Sequence, residues 1–344
     1  MAAIMTGAAR LAVLCAAAAG FASASAVQAD EVADFYKGKK VIMYIGSSAG
    51  GGTDVYGRIV ARFMGDHIPG KPSMVPSNLP GANGLNLINQ LYNTLPRDGT
   101  ALGTFDRYNA LKAITGDPRV MFDPDKLHWL GSTNIDVSAC VTWHTTGITT
   151  LHDFMTKGVV VGSSAIFHPN ILNNIFGANI KLISGYPGGN EVTLALERGE
   201  VQARCHWSWS AIASTRPDWV RDKKINIIVQ FGEEKHPEMP DVPLAMELAR
   251  NESDRNIIDL IQSSQVMARP FAAPRDVPAA RVAALRAAFD RTLTDPAFLE
   301  AAQKQALELE PVSGAHIQEV VARIAKTPAD VAILFRDKVM PLSP

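Results

Sequence analysis

The sequence predicts an α/β fold with mixed, mostly parallel sheets, spread over two domains. Its 344 residues exceed the usual size of one domain. Short apolar, β-branched runs alternate with segments of helical period, the pattern of strands joined by crossover helices. Three glycine-rich turns each stand between such a run and the helix after it, where open α/β sheets hold their ligands. Hydrophobic residues make up 47% of the chain, enough for substantial cores.

The formal net charge is −1, so no basic surface argues for nucleic acid or an anionic membrane. Residues 1–29 read as a cleaved secretory signal peptide. Arg10 is their only charge, Leu11 to Ala24 form an apolar core, and Ala26-Val-Gln-Ala29 offers small residues at −3 and −1 of a cut before Asp30. The apolar core falls short of the roughly 18 to 20 residues of a membrane span. Leu14 is too large to precede a lipoprotein-type site at Cys15. Cys140 and Cys205 remain after cleavage, and an export compartment would allow a bond between them. Two cysteines do not make a disulfide framework, so a bond and two packed thiols are both open.

The first unit is Val41-Ile-Met-Tyr-Ile-Gly-Ser-Ser-Ala-Gly-Gly-Gly-Thr-Asp-Val-Tyr-Gly-Arg-Ile-Val60. Val41 to Ile45 has the length of a buried strand. Gly50, Gly51 and Gly52 let a ligand approach the main chain. Thr53 or Asp54 is expected to cap the following helix, whose apolar stripe is Val55, Ile59 and Phe63. Such a turn aims free N–H groups and the positive end of a helix dipole at one spot, which suits an anion. The device recurs with Ser73 to Asn78 as strand and Asn78-Leu-Pro-Gly-Ala-Asn-Gly84 as turn; Leu85, Ile88, Leu91 and Tyr92 give the helix. Ala101 to Phe105 follows the Pro96-Arg-Asp-Gly99 turn as a third strand.

A second set of units begins near Asn134. Ala139 to Trp143, Val159 to Gly162, Ile180 to Ser184 and Asn226 to Gln230 read as strands. Leu151 to Lys157 reads as a short helix. Ser163-Ser164 leads to His168-Pro169 and a helix over Asn170 to Phe176, stopped by Gly177. Tyr186-Pro-Gly-Gly-Asn190 is the third glycine-rich turn, with Asn190 expected to cap a helix that Gly199 closes. Toward the C-terminus, Val282, Leu285, Phe289 and Leu293 give a helical stripe, and Asp295-Pro296 starts another helix. Ile317, Val320, Val321 and Ile324 mark a third.

Gly46-Ser-Ser-Ala-Gly50 fits G-x-S-x-G, the nucleophile elbow of α/β-hydrolases. Context argues against Ser48 as a nucleophile, because that fold needs several strands before the elbow and only 16 mature residues come before Gly46. No catalytic residue is assigned. No G-x-x-x-x-G-K-[ST] occurs and glycines 50–52 do not make G-x-G-x-x-G, so a nucleotide is poorly supported. The eight histidines include no pair at metal-ligand spacing, and neither a metal nor a cofactor is expected. His168 and His206 stand apart as candidates for lining a site. Ala203-Arg-Cys-His-Trp-Ser-Trp-Ser210, if extended, puts Arg204, His206 and Ser208 on one face and Cys205, Trp207 and Trp209 on the other. It reads either as a buried strand filled by tryptophans or as an aromatic, cationic wall for a carboxylated ligand.

With Ile45-Gly-Ser-Ser-Ala-Gly-Gly-Gly-Thr-Asp54 and Asn78-Leu-Pro-Gly-Ala-Asn-Gly84 in view, the chain resembles the extracytoplasmic solute receptors of tripartite tricarboxylate transporters, the Bug receptors. Pro96-Arg-Asp-Gly-Thr100, Phe122-Asp-Pro124, Gly199-Glu-Val201, His236-Pro-Glu-Met-Pro-Asp-Val-Pro243 and Ala273-Pro-Arg-Asp-Val-Pro278 are similar to further positions of that family. They follow in order over nearly the whole mature chain. The chain departs from the pattern at Ser47-Ser48, where relatives often carry proline, and at His206, near which they commonly carry aspartate. It departs again at Ile183-Ser-Gly-Tyr-Pro-Gly-Gly189, where they have Val-Pro-Tyr-Lys-Gly.

The resemblance implies a type II periplasmic binding protein-like, Venus-flytrap fold. Its first domain would be 31–133 plus 266–344 and its second 134–265, closing on a small organic acid: a di- or tricarboxylate or an aromatic carboxylate. It implies a monomeric periplasmic receptor, not an enzyme, that delivers its ligand to membrane permease subunits; a sensor docking to a signalling kinase is the alternative. On the first domain, Ser47, Ser48, Ala49, Gly50, Gly51, Thr53 and Asp54 of one turn and Asn78, Pro80, Gly81, Ala82 and Asn83 of the other would hold the carboxylate. They would do so largely through backbone N–H groups and bridging water. Ser163, Ser164 and His168, with Tyr186, Gly188, Gly189 and Asn190, would close from the second domain, and His206 joins the expected site.

Overall fold

In the computed structural model, which describes residues 30–341, the apolar run after Lys39 forms β1 (Lys40–Ile45). The leader expected at 1–29 lies outside the described residues. Val41, Met43 and Ile45 are buried while the residues between them are half-exposed, the period of a strand with one face on a core. The first glycine turn carries the chain into α1 (Gly52–His67) and back to β2 (Ser73–Asn78), which pairs in parallel with β1 along its whole length. After the second turn, α2 (Leu85–Asn93) leads to β3 (Ala101–Thr104), parallel to β1 on its other side. β4 (His128–Ser132) ends this pass.

The next five strands build a second sheet: β5 (Ser138–Trp143), β6 (Val159–Gly162), β7 (Ile180–Ile183), β8 (Ala203–Ser208) and β9 (Ile225–Phe231), in spatial order β7-β6-β8-β5-β9. β6 runs parallel to β7 and β8, whereas β5 runs antiparallel to β8 and β9. α3 (Gly189–Glu197) connects β7 to β8, and α4 (Trp209–Thr215) follows β8 without a loop. Cys140 on β5 and Cys205 on β8 form a disulfide, which settles the choice left open by the sequence.

The chain then returns through α5 (Glu252–Gln262) to β10 (Pro270–Ala273), α6 (Ala279–Thr294), α7 (Pro296–Lys304), β11 (Val312–Ser313), α8 (Gly314–Ala325) and α9 (Ala329–Lys338). β10 and β11 complete the first sheet in the order β11-β4-β10-β3-β1-β2. The expected start at Asp295-Pro296 is present, with the Asp295 carboxylate accepting from the N–H groups of Ala297 and Phe298. α1, α6 and α7 cover one face of the first sheet, where Tyr56, Ile59, Leu285, Phe289 and Phe298 are buried against Val41, Met43 and Phe271. No helix among the described residues is long and apolar enough to cross a membrane.

Three local expectations change. The helix expected over Asn170 to Phe176 begins at Phe167 and continues as a π turn over Ile171–Ile175, so His168 lies inside it; Gly177, at φ +79°, ends it as expected. α1 is preceded by Gly51 and α3 by Gly188 at the cap position, and no side chain caps either helix. Thr53, Asp54 and Asn190 are therefore not caps but first-turn residues. Finally, His206 takes φ +59°, which breaks the regular alternation of β8.

Candidate functional site

The first glycine turn is held from behind. The buried Asp54 carboxylate accepts from Gly50 N–H at 2.9 Å, from Arg58 Nε at 2.9 Å and from Asn78 Nδ2 at 2.7 Å. Asn78 also donates to the Ser47 carbonyl at 2.9 Å and accepts from Arg58 Nη2 at 2.6 Å. Asp54 and Asn78 thus brace the turn against β2, and their polar atoms are engaged with one another. What the turn presents forward is backbone: the first N–H groups of α1, Thr53 among them, have no intrahelical acceptor. Ala49 and Gly50 are exposed at its tip.

The second turn is conformationally strained. Gly81, Ala82, Asn83 and Gly84 all have positive φ, and for Ala82 at +48° no side-chain hydrogen bond compensates. Groups from the short helix Asn109–Lys112 after β3 keep it in place: Lys112 Nζ donates to the Ala82 carbonyl at 3.2 Å and Asn109 Nδ2 to the Asn83 carbonyl at 3.0 Å. Burial lowers the Lys112 ammonium to about 8. Pro80 and the Ala82 side chain are exposed, while the Asn83 amide turns inward, 3.3 Å from His206 Nε2.

Elements of the second sheet close directly on these turns. Ser48 Oγ donates to Glu191 Oε2 at 2.8 Å, and Gly188 sits against the same serine. A side chain on Gly52 would bring its Cβ to 2.5 Å from Ala211 Cβ on α4, and one on Gly189 would meet Arg204 Nη2 at 2.5 Å. Of the two approaches, the first, to the Cβ of a helix residue, requires glycine at 52; at 189 the guanidinium of Arg204 would have to move. Together they leave a cavity of about 10 Å³ lined by Gly50, Gly51, Gly52, Gly189, Asn190, Thr193, Arg204, Trp207, Thr215 and Arg216.

The kink at His206 overturns the two-face expectation for 203–210. Arg204 and Trp207, expected on opposite faces, lie together, with the guanidinium 3.8 Å from the indole centroid. Trp207 and Trp209 are also buried core residues, packed with Val141, Leu196 and Trp219. Trp209 Nε1 donates to Glu238 Oε2 at 2.6 Å.

His206 itself joins a buried polar chain that crosses from one sheet to the other. Its Nε2 lies 2.9 Å from Asp106 Oδ2, and its Nδ1 lies 3.1 Å from His168 Nδ1. His168 Nε2 lies 3.2 Å from the Tyr108 hydroxyl, to which Gln265 Nε2 donates at 2.7 Å. Burial pushes both imidazoles below their ordinary value, against the pull of Asp106. Burial works to raise the Asp106 carboxyl, but His206, Arg107 and Lys112 hold it well below the usual carboxylate range. With neutral rings, one proton order satisfies every link: Gln265 to Tyr108, Tyr108 to His168, His168 to His206, His206 to Asp106.

The expected site residues therefore separate into groups. Gly50, Gly51, Gly189 and Asn190 share the cavity; Ser48 and Gly188 meet beside it; Asn83, His168 and His206 meet in the polar chain. Ser163 is buried, its hydroxyl engaged by the Ala165 and Cys205 carbonyls, with Ser164 half-buried beside it. Tyr186 packs on the core around Leu196 and Trp207. Sequence reasoning missed Asp106, Tyr108, Glu191 and Arg216. The signal for the first two was present, since Asp106-Arg-Tyr-Asn109 begins one residue beyond the carboxyl end of β3.

No family model matches the chain, and no curated protein matches it. Solved structures do. The periplasmic binding protein BugD is 17% identical, with 90% of this chain and 100% of that chain covered at a TM-score of 0.71. MatC from Rhodopseudomonas palustris, solved with bound malate, is 18% identical, covering 86% of this chain and 99% of that one at 0.67. The R. palustris protein Rpa4515, solved with adipate, is 17% identical, covering 86% and 97% at 0.66. The likeness is one of fold: the chain has the two-domain fold of periplasmic binding proteins.

Proposed function

We propose that the protein is an exported solute receptor of the tripartite tricarboxylate transporter (Bug) type, which captures a small organic acid between two closing domains and delivers it to a membrane permease. The observation that carries this reading is the meeting of two glycine-rich helix starts, α1 from the first sheet and α3 from the second, around one cavity. Two positive helix ends facing one another attract an anion more strongly than either does alone. Closing them requires glycine at 52, the residue present.

The proposed domain division is 31–133 plus 266–344 against 134–265. It is supported by the strand order, because the chain passes between sheets only from β4 to β5 and from β9 to β10. Near those passages Arg107 donates to Ser138 Oγ at 2.6 Å, and Arg269 lies 3.5 Å from Asp136 with both buried. The ligand class is supported by the fold neighbours solved with malate and adipate. Binding rather than catalysis is supported at Ser48, whose hydroxyl donates to a carboxylate, Glu191, and not to an imidazole.

A thermal-shift screen of the mature chain against mono-, di- and tricarboxylates and aromatic acids tests the reading. A ligand present at 100 times its Kd adds about 2.7 kcal/mol of stability. A clear rise in Tm with one acid class is expected; a flat response to every acid contradicts the proposal.

A further inference from the structure

Strand β8 carries one residue too many for its neighbour β5. Ala139 lies opposite Trp207 and Val141 opposite Arg204, so Cys140 faces both Cys205 and His206. This is a β-bulge, which bends one strand and re-aims a side chain. The ladder on the other side of β5 steps at the same place: Cys140 pairs with Val229 and Val141 with Ile227, which leaves Ile228 over. The Cys140–Cys205 bond crosses the first of these steps, one residue before the left-handed His206, and both cysteines are fully buried.

A bulge migrates when the register step moves along the pair, and each one-residue slip turns side chains to the other face. Were the Ala139–Trp207 register to continue along β8, Val141 would face Cys205 and Cys140 would face His206. A covalent bond between Cys140 and Cys205 opposes that slip. The Ser163 hydroxyl holds Cys205 from the opposite side, donating to its carbonyl at 3.2 Å. A non-glycine residue keeps a positive φ only where its surroundings over-determine it, and here the covalent restraint falls on the residue just before it. The ring so aimed lies 2.9 Å from Asp106 Oδ2 and 3.1 Å from His168 Nδ1.

We propose that the Cys140–Cys205 bond is the positioning element of the link between the two sheets: it fixes the bulge of β8 at His206 and so delivers the imidazole to Asp106. Without the bond the step moves, His206 leaves Asp106, and the closed form loses that contact. The consequence for capture rests on the receptor reading above; the placement of the ring does not.

Opening the bond with dithiothreitol tests this without a substitution. The two sulfurs take up two electrons and two protons, and the reagent becomes its cyclic disulfide. Imidazole nitrogen NMR at pH 7, below the unfolding transition of each form, reads the ring. In the oxidised protein His206 is expected as one neutral tautomer, its proton on the nitrogen facing Asp106. After reduction it is expected to show averaged tautomers. Asn83, Arg107 and Arg204 also act on this ring and stay unaltered. The Cys140→Ser, Cys205→Ser double variant should match the reduced protein. A bond that only added stability would leave the His206 signals of the folded protein unchanged, and that result overturns the proposal. So does loss of all folded protein in both forms, since the bond then serves the whole fold and not the ring. Calorimetric titration with succinate, adipate, citrate and benzoate adds the second readout. The acid that binds is expected to bind about tenfold more weakly after reduction, the value of a hydrogen bond to a carboxylate. In His206→Gly, where the ring is already gone, reduction should add no further loss. Equal losses in both backgrounds overturn the coupling of the bond to capture. Binding of none of the four acids by the unaltered protein overturns the receptor reading instead, and the NMR comparison still decides the placement of the ring.

Discussion

His206 Nε2 donates to Asp106 Oδ2 at 2.9 Å, tying the kinked strand β8 of the second sheet to the loop after β3 of the first. Its continuation from His206 Nδ1 to His168 Nδ1 needs one nitrogen of the pair unprotonated, and burial keeps both imidazoles neutral. His168 and His206 have folded values below the usual 6.5, so the unfolded chain binds more protons than the folded one as pH falls past that point. Their contribution is present above about pH 6.5 and is lost below it. Each such histidine can steepen the loss by up to about 1.4 kcal/mol per pH unit. Denaturant unfolding between pH 8 and 5 should show stability falling on the acid side, with a shallower slope in His168→Gln. Arg107, Asp106 and Arg204 also face this pair and are to be left unaltered. Equal slopes in the two proteins would contradict the neutral chain.

Gly52→Val should block closure, since a Cβ at residue 52 would lie 2.5 Å from Ala211 Cβ. Gly51→Val, by contrast, places its Cβ in ordinary contact, 3.8 Å from the Ser48 carbonyl oxygen, at φ −83° and should be tolerated. Small-angle scattering with and without a bound acid reads the difference: contraction in the unaltered protein and Gly51→Val, none in Gly52→Val.

Ser48→Ala removes the 2.8 Å contact to Glu191 across the cleft. A loss of about 1.5–3 kcal/mol from the closed form is expected for a hydrogen bond to a charged group, seen as weaker ligand binding with unchanged unfolding of the free protein's core. Glu191→Gln should reproduce it in part. A hydrolase would instead lose turnover of an activated ester in Ser48→Ala, which the unaltered protein is not expected to show.

Much of this was legible in advance, and the illegible parts have a common cause. Strand, glycine turn and helix are local patterns, so the units at 41–60 and 73–92, the stops at Gly177 and Gly199, and the start at Asp295 could be read from neighbours in sequence. The polar chain could not, because Asp106 and His206 are 100 residues apart and share no period. The same holds for Asp54, read as a cap alternative: its partner Asn78 arrives 24 residues later through the parallel pairing of β1 with β2. The facing of Arg204 onto Trp207 depended on one positive φ at His206, which a residue without a special turn signature did not announce.

Replacing Cys140 and Cys205 with serine should lower stability by about 2–4 kcal/mol, since the bond closes a long loop; the two cysteines are 65 residues apart. Urea unfolding with and without reductant should show the same loss in the unaltered protein and no effect of reductant on the double variant.

Native mass spectrometry of the mature chain, purified without added acids and then mixed with succinate, adipate, citrate and benzoate in turn, tests the central claim most directly. A one-to-one complex with an organic acid, present in the unaltered protein and depleted by Gly52→Val, is the expected result. A spectrum in which no acid is retained at millimolar concentration would contradict the capture of an organic acid between these two glycine-rich helix starts.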